Sequence, residues 1–305
     1  MIDVALPGTG GMIPLPNRFL SSMICRVNGK MILFDCGEGT QVSLRILGWG
    51  FKQIDIICFT HFHGDHITGL PGLLLTMANA ERTEPLILFG PMGLRHVVTS
   101  LCIVAQDLPF ELRFFEINKT DTLIFEQDLL EIRACPVLHG SPCFAYTVEL
   151  LRRGKFDPER AKQLDIPLRL WGILQKLDGE SMEYEGKIYN ADMVLGPPRK
   201  GLKLAYCTDT RPVKSLISFV SDADLFICEG LYGDKSMQEK AAAHMHMSFT
   251  DAARIARAAN VKKLWLTHFS PAMPDPFNYV DIAREIFPNT KTGKDRMTTT
   301  LKFEE

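Results

Sequence analysis

With 305 residues, 46% hydrophobic and 23% charged, the chain has ordinary globular composition and ample apolar material for a large core, which excludes a disordered or low-complexity protein. A formal charge of −2 and a pI near 6.5 exclude a generally basic nucleic-acid binder, so a polyanionic ligand would need metal ions or a local cluster of Lys and Arg. No long apolar run is present and Met1–Pro7 has no signal-peptide pattern; with eight cysteines, none in a Cys-x-x-Cys pair, a reduced cytoplasmic protein without a membrane span is expected.

Ile2–Leu6 reads as a first strand, closed by Pro7-Gly8-Thr9-Gly10-Gly11. That glycine cluster lacks the Lys-Ser/Thr of a phosphate-binding loop, so it is expected to be a turn whose backbone approaches a site closely. Met23–Val27 and Lys30–Phe34 flank Asn28-Gly29, a hairpin signature. The second of these strands runs into Asp35-Cys36-Gly37-Glu38-Gly39-Thr40, followed by a short helix through Leu44 and Leu47. Asp35 carries two readings, a turn aspartate or a carboxylate that braces a metal ligand. Ile54–Thr60 is an apolar, β-branched run that reads as a buried strand. His61-Phe62-His63-Gly64-Asp65-His66 follows it directly, ahead of a helical stretch from Ile67 to Met77. His61 and His63, two apart in extended chain, point to one side, while Asp65 and His66 on the turn aim at a second point nearby. Imidazole nitrogens and carboxylate oxygens are the usual ligands of catalytic zinc.

Pro85–Phe89 is the next strand, and Met92–Val104 a helix whose His96 has no ligand-type neighbour and is expected to be structural or exposed. Strands are expected at Phe110–Ile117, Thr122–Phe125, Leu130–Ala134 and Phe144–Leu150, with His139 between the last two as a further candidate ligand. At about 151–200 the chain is charged and broken by Pro and Gly, with one short helix at Pro158–Leu164; it reads as an inserted arm or as a surface insertion without function. Leu202–Asp209 resumes the core pattern and ends in Asp209; Asp224–Cys228 is a strand ending in Glu229. Helices are expected at Asp234–Ala243 and Phe249–Ala259, the second with Ser248 as N-cap. Lys263–His268 repeats the order of Ile57–His61, apolar strand, threonine, histidine, which suggests an internal two-fold whose halves deliver ligands to one shared edge. A helix near Val280–Ile286 and a strand near Thr298–Phe303 close the chain.

His61, His63, Asp65, His66, His139, Asp209 and His268 thus sit at strand ends, and five of the chain's eight histidines are among them. Seven ligands exceed what one tetrahedral zinc uses and suit two metals. Asp209 is the natural bridge, because a carboxylate has two oxygens while an imidazole nitrogen cannot be shared. The run His61–His66 matches in full the signature His-x-His-x-Asp-His, and with His139, Asp209 and His268 the chain resembles the metallo-β-lactamase fold superfamily. Within it, Leu33–Gln41, Thr60–Gly72, Pro197–Gly201 and Cys207–Arg211 are most similar to ribonuclease Z, the tRNA 3′-processing endonuclease family.

The resemblance implies an α/β fold, the four-layer αββα sandwich, as one domain over residues 1–305 with the arm projecting from it. It implies two Zn²⁺ per subunit, with Mn²⁺ as a replacement: one ion on His61, His63 and His139, the other on Asp65, His66 and His268, and Asp209 between them. It also implies that Asp65 accepts the proton of the attacking water, a role that competes with metal ligation for its oxygens. His246, held by Glu229, would protonate the leaving oxygen, with His244 close enough in sequence to be confused with it. The implied activity is that of a zinc-dependent hydrolase, an endoribonuclease that removes the 3′ trailer from precursor tRNA and leaves a 3′-hydroxyl on the tRNA and a 5′-phosphate on the trailer. The implied partners are precursor tRNA and a second copy in a homodimer.

Three departures bear on RNA docking. Asp165–Gly172 lacks the Gly-Pro element of the family's arm, Arg18 is followed by Phe19 where the family often has Asn, and the usual His-Ser-Thr is His246-Met247-Ser248. They leave open a second reading, the same dinuclear core acting on small phosphodiesters or other esters. A non-catalytic module that kept the fold would have shed ligands, and all seven are here. Arg152-Arg153-Gly154-Lys155 and Arg199-Lys200 flank the arm as phosphate binders or as solvated stalk charges.

Overall fold

The computed structural model describes residues 1–118, 122–177, 180–233 and 235–304. Its strands, in chain order, are β1 (Ile2–Gly8), β2 (Ser22–Val27), β3 (Lys30–Phe34), β4 (Ile54–Cys58), β5 (Leu86–Pro91), β6 (Leu112–Ile117), β7 (Thr122–Gln127) and β8 (Leu130–Val137). They continue as β9 (Cys143–Arg152), β10 (Ser181–Tyr184), β11 (Lys187–Asn190), β12 (Arg199–Cys207), β13 (Leu225–Glu229), β14 (Leu264–Thr267), β15 (Thr290–Thr292) and β16 (Met297–Leu301). Two seven-stranded sheets result, in the orders β16-β1-β2-β3-β4-β5-β6 and β15-β14-β13-β12-β9-β8-β7.

Alternation along the strands builds three apolar layers. Ile56 and Cys58 of β4 join Ile132, Tyr146, Leu204 and Ile227 of the other sheet in the central layer. Ile57, one residue out of phase, faces the helices outside the first sheet with Leu70, Leu74 and Val98. Phe226 and Cys228 of β13 do the same against Phe249, Ala252 and Ala256 outside the second. Strands buried on both faces read as unbroken apolar runs, as Ile54–Thr60 does. The layers are therefore helix, sheet, sheet, helix.

Each sheet is antiparallel on one side and parallel on the other. β3, β4, β5 and β6 run parallel in the first; β12, β13, β14 and β15 run parallel in the second. Parallel strands return through crossovers, so their C-terminal ends line up along one edge. That edge receives Asp35 after β3, His61 after β4, Asp209 after β12, Glu229 at the end of β13 and His268 after β14.

Local chemistry explains most boundaries. Asn28 (φ 48) and Gly29 (φ 75) give the β2–β3 hairpin its two positive-φ turn residues. Ser248 caps the helix Phe249–Ala258 in a reciprocal capping box with Asp251. The helix expected over 92–104 is shorter, Leu94–Leu101, because Gly93 at φ 92 stands at its start. Asp234, the expected start of another helix, lies outside the described residues, and the α-helix there is Gln238–Ala243.

The arm holds more structure than the one short helix expected. A second helix, Leu168–Leu174, and the β10–β11 hairpin pack with Pro158–Gln163 around Ala161, Ile166, Leu170, Leu174 and Tyr189. Both escape the sequence pattern for physical reasons. The helix has under two full turns and no side-chain cap, and the hairpin turns on Glu185 (φ 50) and Gly186 (φ 73) in place of the usual Asn-Gly.

Candidate metal centre

Three of the residues at the shared edge have positive φ although none is glycine: Asp35 (56), Asp209 (33) and His268 (58). Left-handed backbone costs roughly 1–3 kcal/mol at a non-glycine residue and persists where the surroundings over-determine it. Each of the three stands just past a buried strand, so the turn aims the side chain back across the sheet edge. After β4 and a bend at Thr60, His63 is extended, and the one-turn helix Gly64–Ile67 then presents Asp65 and His66.

Seven side chains converge. Ligand atoms of His61, His63, His139 and Asp209 all lie within 4.8 Å of one another, as do those of Asp65, His66 and His268. The two oxygens of Asp209 divide between these groups. Oδ2 is 3.6 Å from His61 Nε2 and 3.7 Å from His139 Nε2, whereas Oδ1 is 3.1 Å from His268 Nε2 and 3.3 Å from His66 Nε2. Asp65 Oδ2 lies 3.3 Å from His268 Nε2 and 3.6 Å from His66 Nε2.

The donor set fits divalent cations. His66 Nε2 faces His268 Nε2 at 3.2 Å, and His63 Nδ1 faces His139 Nε2 at 3.3 Å; each opposed pair can share only one proton, whereas a cation between them satisfies both lone pairs. His61 Nε2 and Asp209 Oδ1 are buried without a hydrogen-bond partner among the described residues. Burial holds His61 and His139 below the usual histidine range, in the neutral form a metal needs. Burial would raise the pKa of Asp209, but His268, His66 and His61 outweigh it and keep the carboxylate ionised. Burial opposes charge on His66 as well, yet Asp209 and Asp35 push its pKa well up. Positive charge is thus favoured at this point, and a divalent ion would supply it. Imidazole with carboxylate suits zinc and manganese.

Asp35 stands where a brace for His66 would stand. It is wholly buried; its Oδ2 bonds His66 Nδ1 at 2.9 Å, and its Oδ1 accepts from Thr60 N at 2.8 Å. Tyr206 and the Thr60 hydroxyl donate to the same carboxylate. Asp35→Asn turns an acceptor away from His66 Nδ1. A zinc titration against a competing chelator is expected to give affinity lower by about 10–100-fold, with the fold retained.

Glu229, buried at the end of β13, accepts from Thr210 N at 2.5 Å through Oε1 and bonds His246 Nδ1 at 3.0 Å through Oε2. His246 therefore presents Nε2, and its ring lies over His268 with centroids 5.6 Å apart. Burial works against charge on His246, but the hydrogen bond and charge of Glu229 prevail and push its pKa up to about 9. His246 can hold a proton at neutral pH. His244 and His96 are exposed and stand outside the cluster.

Sequence reasoning missed several supports. Arg211 donates from Nη1 to the His246 carbonyl at 2.5 Å, and Arg211 N donates to Leu138 O at 2.8 Å, so one loop holds both the His139 and His246 segments. The Gly10-Gly11 turn approaches the site as the glycines suggested. Met12 N donates to Asp65 Oδ2 at 2.7 Å, and a Cβ on Gly11 would stand 2.7 Å from the His268 ring. Only glycine fits there. Gly11→Ala is expected to displace His268 and weaken metal binding by about 10–100-fold, read from metal content after dialysis.

Comparison with known proteins places this geometry. Residues 2–103 match a family model described as anti-Pycsar protein Apyc1, and residues 188–269 match a beta-lactamase superfamily domain. A ribonuclease Z of Lachnoclostridium phytofermentans is 51% identical over 305 residues, covering 100% of this chain and 99% of its own. A ribonuclease Z of Agathobacter rectalis is also 51% identical over 305 residues, covering 100% of each. The crystal structure of human tRNase Z, short form, superposes with a TM-score of 0.70 at 24% identity, over 99% of this chain and 100% of that one, which shows a common fold.

Proposed function

Because the chain belongs to the ribonuclease Z family, we propose that its histidine–aspartate cleft hydrolyses the phosphodiester that joins precursor tRNA to its 3′ trailer. The observation that carries this reading is the division of the Asp209 oxygens between two donor groups, beside a His246–Glu229 pair that can deliver a proton. We assign two Zn²⁺ per subunit, with Mn²⁺ as a replacement: His61, His63 and His139 would hold one and Asp65, His66 and His268 the other, with Asp209 available to both. When bound, the ions lower the pKa of water to about 7 and offset charge on the phosphoryl oxygens.

The chain's own residues handle the protons. Asp65 Oδ2 is fixed by Met12 N and lies on the side of His66 and His268, while Oδ1 makes no hydrogen bond among the described residues. One oxygen thus serves as ligand, and the other takes the proton of the attacking water. His246, with Nδ1 on Glu229 and its ring stacked on His268, gives its proton from Nε2 to the departing 3′-oxygen. Water oxygen joins phosphorus as the P–O3′ bond breaks. The products are a 3′-hydroxyl on the tRNA and a 5′-phosphate on the trailer.

We take residues 1–305 as one domain carrying the arm at about 151–200, working as a homodimer in the cytoplasm. Eight free, buried cysteines suit a reducing compartment. Among the described residues no helix is long and apolar enough to cross a membrane. The test is cleavage of a precursor tRNA bearing a 3′ trailer, beside a small aryl phosphodiester, by wild type and Asp65→Ala. Cutting near the discriminator base, lost in the variant, supports the reading. Turnover of the diester with intact tRNA overturns the substrate in favour of small phosphodiesters.

A further inference from the structure

A second concentration of charge lies far from the metal ligands. A hollow of about 640 Å³ at the base of the arm is lined by Arg152 and Lys155 where the arm begins, Arg199 and Lys200 where it ends, and Lys262 and Lys302 from the body. Two carboxylates, Asp224 and Glu304, share it. Both are spent on one cation: Lys262 Nζ is 2.8 Å from Asp224 and 2.5 Å from Glu304. Arg152 is held by the Glu304 carbonyl at 2.8 Å, and Arg199 by the Arg153 carbonyl at 2.8 Å through Nε. Lys155, Lys200 and Lys302 are exposed, and their ammonium groups make no hydrogen bond or close ion pair among the described residues.

Solvated stalk charges would spread apart; these converge. Arg152 and Arg199 are directly paired across β9 and β12. Like charges opposite one another on neighbouring strands destabilise a sheet, and concave clustering adds to the repulsion. An anion in the hollow relieves both. Guanidinium and ammonium groups without carboxylate partners match phosphate oxygens.

We propose that this hollow binds phosphate groups of the RNA backbone and thereby ties both ends of the arm to the body. The proposal rests on the ribonuclease reading for the identity of the polyanion. β12 runs from Arg199 in the hollow to Cys207, two residues before Asp209, so roughly 30 Å of strand separates the two sites. The hollow cannot touch the scissile phosphate. A folded RNA with its 3′ end in the cleft carries backbone phosphates that far away, whereas a small diester does not.

The test uses the full-length protein, a triple variant Lys155→Ala, Lys200→Ala, Lys302→Ala, and its Lys→Arg counterpart. Filter binding of precursor tRNA is followed against salt, and tripolyphosphate binding by calorimetry. The alanine variant is expected to bind tRNA about tenfold or more weakly, with the log–log salt slope reduced by about 2–3, and to lose tripolyphosphate binding; arginine restores all three. Unchanged tRNA affinity and salt slope overturn the proposal. So does loss of tripolyphosphate binding alone, which would mark a site for free phosphate. Aryl diester turnover reports whether the cleft is intact in each variant. If wild type binds tRNA in this charge-dependent way yet never cuts it, the phosphate site stands and the proposed catalytic function falls.

Discussion

Asp209→Ala is expected to reduce bound metal from two ions per chain to fewer than one and to slow precursor tRNA cleavage by more than about a thousandfold. Among the described residues Asp209 alone belongs to both sides of the cleft, with one oxygen 3.1 Å from His268 and the other 3.6 Å from His61. Its loss also removes a carboxylate that faces four histidine rings, leaving Asp65 and Asp35 as counter-charges to His66 and His268. Elemental analysis of the purified variant, together with turnover on precursor tRNA, checks the expectation. His63→Ala is the comparison. His63 belongs to one donor group only and is exposed, so its loss should spare the ion held by Asp65, His66 and His268. Equal metal loss in the two variants would contradict the bridging role.

His246→Asn is expected to slow precursor tRNA cleavage by about 10²–10⁴-fold while leaving turnover of a p-nitrophenyl phosphodiester within a few-fold of wild type. The contrast arises in the leaving group. A ribose 3′-oxygen is a poor anion and needs a proton as it departs; p-nitrophenolate does not. Glu229→Gln should follow the same pattern more weakly, since it removes the charge that keeps His246 protonated but not the ring that carries the proton. A parallel loss on both substrates would show that His246 acts through the metals or the fold rather than as the acid.

Much of this site was legible because its parts are local. His61–His66 is one strand end and one turn, and its spacing alone divides the side chains into two directions. His139, Asp209 and His268 were legible from a recurring pattern, a buried strand that stops at a ligand-type residue. That Asp209 would be shared followed from its two oxygens, but which oxygen faces which histidines did not, because that depends on where two sheets meet. The same holds for Gly11, whose need for glycine comes from His268 more than 250 positions away, and for Arg211, whose guanidinium holds a carbonyl 35 residues later. Arg18-Phe19 shows how a departure from the family pattern can be accommodated. Arg18 binds the carbonyls of Met273 and Pro274, Phe19 N donates to Asp295, and the Phe19 ring fills the space over Gly39 that a Cβ would occupy. In the arm, short elements without strong caps left only one helix to read in advance.

The central claim is that water attacks phosphorus and the 3′-oxygen leaves with a proton. Cleavage of precursor tRNA in ¹⁸O-labelled water, with both products analysed by mass spectrometry, tests it most directly. The account requires one ¹⁸O in the 5′-phosphate of the trailer and an unlabelled 3′-hydroxyl on the tRNA. A cyclic or 3′-phosphate on the tRNA with a 5′-hydroxyl on the trailer would contradict it, because the P–O5′ bond would then have broken in place of P–O3′ and His246 could not have protonated a departing 3′-oxygen.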